Sequence, residues 1–243
     1  MNGFDHSTHQ TRASEYNEGA DVVVRYFGGI QTGGEERNQK RVLLHEADIT
    51  RLSTVGRDLN IKDNTRIYDE SQEASRVYFL LSGVVITDKH FDKYKTNVSN
   101  LVSAPHVLGL SQCEFYEDSS FSISVCHLIS LTYPQMKAVS RDIPHLGEFI
   151  LSCLWRGHQK TEEQLAVRSI RFMPRRLAFV LMELVHQQQF FDASTKNLKL
   201  GMSRSKIAEY ISTTPESVSR AFSYLFREKY IDKVDRNTIR VNF

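Results

Sequence analysis

No stretch of this 243-residue chain approaches the roughly 20 consecutive apolar residues that span a bilayer. The opening MNGFDHSTHQ lacks the basic start and apolar stretch of a secretory signal. A soluble, cytoplasmic protein with no membrane partner is the expectation. Cysteine is scarce too: Cys113, Cys126 and Cys153 lie far apart with no C-x-x-C spacing, which argues against a disulfide framework and a zinc knuckle. Each is expected as a buried, reduced thiol. The chain also lacks G-x-x-x-x-G-K-[ST], H-E-x-x-H and G-x-S-x-G, so a phosphate-cradling loop, a zinc-protease pair and a nucleophile elbow are all without support. No enzyme and no catalytic residue is expected, and the contrary reading, an enzymatic or sugar-binding β-roll with a basic tail, has only composition behind it.

Net charge is nearly absent at +2, yet its distribution is uneven. Residues 1–166 carry 17 Lys and Arg against 22 Asp and Glu, a balance of −5, whereas residues 167–243 carry 14 against 7, a balance of +7. A basic segment after an acidic one is the footprint of a polyanion binder, since phosphate neutralisation releases counterions. With 40% apolar residues the chain can build two modest cores.

Four segments follow from the patterning. Residues 1–40 are polar and glycine-punctuated and read as a loosely ordered extension. Residues 41–140 hold short β-rich runs, Arg76–Leu81, Val84–Thr87 and Phe121–Val125, the last alternating at period two, which predicts an antiparallel β-sandwich or roll. Over residues 141–167, Leu146, Phe149, Ile150, Cys153 and Leu154 recur at helical spacing, with Gly157 a weak point or a close-packing point. Such a stripe packs on its own β domain or on the same helix of a second copy; a homodimer, with these five residues at the interface, is the favoured expectation. Residues 168–243 form the basic unit, opened by an apolar helix from Pro174 to His186.

Within that unit, Ser203 stands where a helix N-cap belongs before Ile207, Ala208 and Ile211. Thr214 can cap a second helix, with Pro215 at its first position and Glu216 near the positive end of its dipole. Val218, Phe222 and Leu225 then face inward. The runs Tyr230–Val234 and Thr238–Val241 read as a hairpin, giving a winged helix-turn-helix. Its chemistry suits double-stranded DNA. Arg220 can donate a bidentate pair to guanine, Glu216 can accept from cytosine, and Ser219 can serve either base, while Ser203, Arg204, Thr214, Ser217, Lys233 and Arg236 are placed for phosphates.

Those residues carry a resemblance. Met202-Ser-Arg-Ser-Lys-Ile207 followed by Glu216-Ser-Val-Ser-Arg220 resembles the helix-turn-helix signature of the Crp-Fnr transcription regulators in its Fnr-like form. Arg176-Leu-Ala-Phe179 and Val77-Tyr-Phe-Leu-Leu-Ser-Gly83 are similar to the family's DNA-binding and sensor segments, so the likeness covers about residues 45–243. It implies an α+β protein: an N-terminal antiparallel β-roll like a cyclic-nucleotide-binding domain, a long central dimerisation helix and a C-terminal winged helix-turn-helix. It further implies a homodimer on an inverted repeat with TTGAT-like half-sites, and RNA polymerase as a partner if the protein activates.

Departures qualify the implied control. Ser212 stands where the family has glycine in the turn, with strain expected if its φ is positive, and Thr213 replaces an apolar residue. Val107-Leu-Gly-Leu110 and Ser120-Phe121 stand where nucleotide-binding relatives have Gly-Glu and Arg-Ser, which argues against cyclic AMP. No cysteine precedes Cys113, which argues against an iron-sulfur cluster. No metal site and no cofactor is predicted. His90, His106 and His127 stand in no haem-ligand pattern, and haem or a small-molecule effector stays open. Open too are a redox role of Cys113 and Cys126, and a role as a non-specific DNA binder or protein-interaction antagonist of a related regulator.

Overall fold

The computed structural model describes residues 42–92 and 95–242; the extension expected over residues 1–40 lies outside the described residues. A short helix α1 (Glu46–Val55) precedes eight strands. These are β1 (Arg57–Ile61), β2 (Arg66–Tyr68), β3 (Arg76–Ser82), β4 (Val84–Asp92), β5 (Lys95–Ser103), β6 (His106–Leu108), β7 (Ser119–Ser122) and β8 (Cys126–Thr132). They form two four-stranded sheets, ordered β1-β8-β3-β6 and β2-β7-β4-β5, with every pairing antiparallel. Between the sheets lie Tyr68, Tyr78, Leu80, Val85, Tyr116 and Leu128, the interior of a β-roll. Gly83 makes the β3–β4 turn at φ 98°, and a Cβ there would sit 2.5 Å from Cys126 Sγ.

The alternating run Phe121–Val125 is not the strand expected. The strand is Ser119–Ser122, Ser122 is buried, and Val125 is 69% exposed. Hydrogen bonding overrides the apolar pattern here. Ser122 Oγ donates to Lys62 O at 2.7 Å and accepts from Thr65 N at 3.0 Å, while the half-buried Ser124 Oγ accepts from Val84 N at 2.8 Å, so both serines are satisfied.

After α2 (Tyr133–Val139), the long helix α3 (Leu146–Ser169) runs 24 residues without interruption through Gly157. A Cβ added at Gly157 would meet nothing within 4 Å, so this glycine is not a close-packing point within the described chain. The apolar stripe expected at a dimer interface needs correction. Leu146, Phe149 and Cys153 are 0–1% exposed and pack with Leu52, Val77, Phe79 and Ile129 in a core between the first sheet and the helices. Ile150 is half-buried against the same core, and of the five only Leu154 is exposed. The reason is shape: the outer face of β3, β6 and β8 is apolar and must be covered, and α3 covers it together with α1 and α2.

The C-terminal unit begins with α4 (Met173–Val185), followed by β9 (Phe191–Asp192) and β10 (Asn197–Lys199). Then come α5 (Arg204–Tyr210), α6 (Pro215–Arg227) and the hairpin β11 (Ile231–Lys233) and β12 (Thr238–Val241). Leu177, Leu181, Ile207, Val218, Phe222 and Leu225 fill its core, which also takes in Val84, Ile86, Val98 and Leu101 from the outer face of β4 and β5. The unit therefore sits directly on the roll.

The α5–α6 turn explains how Ser212 replaces glycine. Ser212 has φ 54°, Thr213 N donates to Ala208 O at 2.9 Å, and Ser212 N donates to Glu209 O at 3.2 Å. This pair of bonds is a Schellman motif with serine at the left-handed position that glycine occupies without a Cβ clash. Ser212→Gly is accordingly expected to raise the unfolding free energy by about 1 kcal/mol. Urea unfolding checks it, and a loss of stability would show that the turn is not strained.

Candidate DNA interface

Both helices of the C-terminal motif start where their caps dictate. Ser203 Oγ accepts from Lys206 N at 3.2 Å, and Thr214 Oγ1 accepts from Ser217 N at 3.3 Å with Pro215 next in line. Val218, Ala221, Phe222 and Leu225 turn inward, so Glu216, Ser219 and Arg220 fall together on the outer face of α6 at i, i+3 and i+4. All three are exposed. Ser219 Oγ donates back to Pro215 O at 2.9 Å, and Arg220 Nη2 donates to Ser217 Oγ at 3.2 Å. The Glu216 carboxyl is held below its ordinary pKa by its own backbone N–H, by the Thr214 hydroxyl and by Arg220, so it is an ionised acceptor. One anion, one hydroxyl and one guanidinium at the first turns of an exposed helix match the donors and acceptors on base edges.

The surrounding residues expected at phosphates divide. Ser203, Thr214, Lys233 and Arg236 are exposed, and Ser217 is half-buried. In the hairpin, Asp235 Oδ1 accepts from Asn237 N at 2.7 Å and Thr238 N at 2.8 Å, which pins the tip carrying Arg236. Arg204 differs. Its guanidinium lies 3.2 Å from the centre of the Phe222 ring, half covered, so it buttresses α6 through a cation–π stack besides reaching toward the surface.

Upstream, a cavity of about 500 Å³ opens between the roll, α3 and α4, a size that fits a small molecule. Tyr68, His106, Asp118, Arg156, Lys160 and Glu183 are among its walls. Burial drives the His106 pKa down to about 4, and its Nδ1–H donates to Val107 O at 2.7 Å, so the ring is neutral. Burial raises the Asp118 carboxyl to about 6, with Tyr68 Oη donating to it at 3.1 Å. His90 and His127 lie outside this cavity as surface pairs with Glu70 at 2.9 Å and Asp58 at 3.0 Å. Cys126 and Cys153 are buried thiols whose pKa burial raises, whereas Cys113 is exposed, against the expectation of burial, because its loop leaves it outside the roll.

Sequence reasoning missed the cavity and two partly buried ion pairs, one in its wall and one next to the lining residue Thr87. Lys160 of α3 pairs with Glu183 of α4, which also accepts from Tyr210 Oη at 2.7 Å, and Lys206 of α5 reaches Asp88 of β4 at 3.3 Å. The one available signal was Asp88 itself, an acid two residues beyond Ile86 and four beyond Val84 on one strand.

A family model for a Crp-like helix-turn-helix domain matches residues 175–242. The nitrogen fixation regulation protein FixK of Azorhizobium caulinodans is 26% identical over 163 residues, which are 67% of this chain and 66% of that protein, just under two thirds of its length. Among solved structures, FixK2 of Bradyrhizobium japonicum is 20% identical with a TM-score of 0.65, over 77% of this chain and 93% of that one. The c-di-GMP-responsive global regulator CLP of Xanthomonas campestris is 15% identical with a TM-score of 0.71, over 82% and 100%. The proteins matched carry the names of regulators, not of enzymes, and among the described residues no helix is long and apolar enough to cross a membrane. Residues 175–242 thus form a Crp-like helix-turn-helix domain, and with roll, long helix and winged helix-turn-helix in this order the chain is similar to the Crp-Fnr transcription regulators.

Proposed function

We propose that this chain is a cytoplasmic, sequence-specific DNA-binding regulator that acts as a homodimer on an inverted repeat of TTGAT-like half-sites. The observation that carries the reading is the exposed trio Glu216, Ser219 and Arg220 at the start of α6. Arg220 reads guanine, Glu216 reads cytosine and Ser219 touches either base or a thymine methyl. Ser203, Thr214, Ser217, Lys233 and Arg236 anchor phosphates, joined by the free edge of Arg204. RNA polymerase is the second partner if the protein activates.

The dimer we propose uses a different seam. Leu151, Leu154, Trp155 and Leu165 are 67%, 54%, 59% and 62% exposed, and Leu151, Leu154, His158, Thr161 and Leu165 keep a three-four spacing along α3. An exposed apolar stripe of this length marks an interaction surface. Independence from cyclic AMP is supported by Val107-Leu-Gly-Leu110, which lines the cavity without the acid of a Gly-Glu pair, by Ser120-Phe121 in place of an Arg-Ser pair, and by the acidic Asp118 in the cavity wall.

Two measurements test this reading. In a gel-shift titration, wild type is expected to prefer a TTGAT inverted repeat over a scrambled duplex, and Arg220→Ala to lose about 10–100-fold of that preference while keeping general affinity. Added cyclic AMP should change neither; absence of any preference in wild type refutes sequence-specific binding. By sedimentation velocity, Leu151→Glu with Leu154→Glu is expected to convert a dimer into a folded monomer, and an unchanged dimer excludes this seam.

A further inference from the structure

Strand β4 alternates. Val84 and Ile86 face the C-terminal unit, Val85 faces the roll interior, and Asp88 continues the row of Val84 and Ile86. A carboxylate thus stands in an apolar row, 2% exposed. A register shift beside it, where Thr87 pairs with Asn100 but Asp88 pairs with Val98, sets this end of the hairpin against α5. Asp88 Oδ2 meets Lys206 Nζ at 3.3 Å, while Oδ1 is buried without a hydrogen-bond partner. A buried carboxylate satisfied on one oxygen costs folding energy that apolar side chains of similar size would not. Its retention in the row with Val84 and Ile86 therefore requires another account.

Lys206 supplies one. It lies on α5, three residues beyond the cap Ser203 and two beyond Arg204, on the helix whose start is assigned to phosphates. Its ammonium is held between Asp88 and Glu209 Oε2, the latter at 2.9 Å, so its charge is spent inside the protein. Arg168, in the last turn of α3, reaches Val98 O at 3.4 Å next to the same point. The roll, the central helix and the DNA-binding unit meet at Asp88, and its neighbour Thr87 lines the cavity.

We propose that Asp88 and Lys206 form an autoinhibitory latch: the sensor carboxylate holds a lysine of the helix-turn-helix away from DNA and ties that unit to the roll. Opening the latch releases Lys206 for a phosphate and frees the unit to move. A change in the cavity reaches the latch through Thr87, which lines the cavity and is the chain neighbour of Asp88. The inference rests on the DNA-binding reading above and adds its control.

The full chain, titrated onto a TTGAT-repeat duplex at several salt concentrations, tests it. Asp88→Asn is expected to raise affinity about fivefold to tenfold and to steepen the slope of log K against log salt by about one unit per protomer, the signature of an added phosphate contact. In a Lys206→Gln background the same Asp88→Asn change is expected to have no effect on either quantity. Asp88→Leu, which suits the apolar row, should reproduce the gain and covers the case in which the asparagine variant folds poorly. Unchanged or reduced affinity in both Asp88 variants, or an equal gain without Lys206, overturns the latch. If wild type fails to bind any duplex and the Asp88 variants fail with it, the DNA-binding reading falls instead.

Discussion

The burial of Leu146, Phe149 and Cys153 fixes the rotation of α3 about its own axis, and the rest of the arrangement depends on that angle. Full burial of such side chains contributes about 1.5–3 kcal/mol each, enough to dominate the weak preferences of an exposed helix surface. With that face committed to the outer side of β3, β6 and β8, the face carrying Leu151, Leu154 and Leu165 must point away from the roll. The same rotation aims Lys160 at Glu183 and Arg168 at Val98, so one helix connects the roll, the exposed apolar face and the helix-turn-helix unit.

The DNA-binding surface owes its geometry to local chemistry. Two side-chain caps, one left-handed turn and an inward row of Val218, Phe222 and Leu225 orient α6, and the polar residues left over are those that can meet bases. The interface to the roll has a different character. Apolar residues of β4 and β5 merge with the winged-helix core, and buried charges stand among them. An interface that mixes burial with incompletely satisfied charge is suited to having two positions, because a lost ion pair is recovered by hydration once it opens.

Legibility followed the range of the interactions. Ser203, Thr214 and Pro215 act within a few residues of themselves, so both helix starts could be read from the sequence. The strand runs Arg76–Leu81 and Val84–Thr87 were legible for the same reason, through their β-branched and aromatic residues, whereas the extension of the second to Asp92 was not. Periodicity told that α3 has an apolar stripe, but not what covers it, since the roll and a second copy ask for the same spacing. The burial of Ser122 and the half-burial of Ser124 depend on acceptors and donors at Lys62, Thr65 and Val84, far away in sequence, and no local pattern announces them. The cavity and the Asp88–Lys206 contact, across 118 residues, are products of tertiary packing alone.

A cleavage footprint on a duplex carrying the TTGAT inverted repeat tests the central claim most directly. Two recognition helices related by a dyad must enter successive major grooves on one side of the duplex, about 34–36 Å apart. The predicted result is protection of both half-sites with centres about 10 base pairs apart, appearing together as protein is added. Protection of a single half-site, or uniform protection along the whole duplex, would contradict a dimer that reads sequence through Glu216, Ser219 and Arg220.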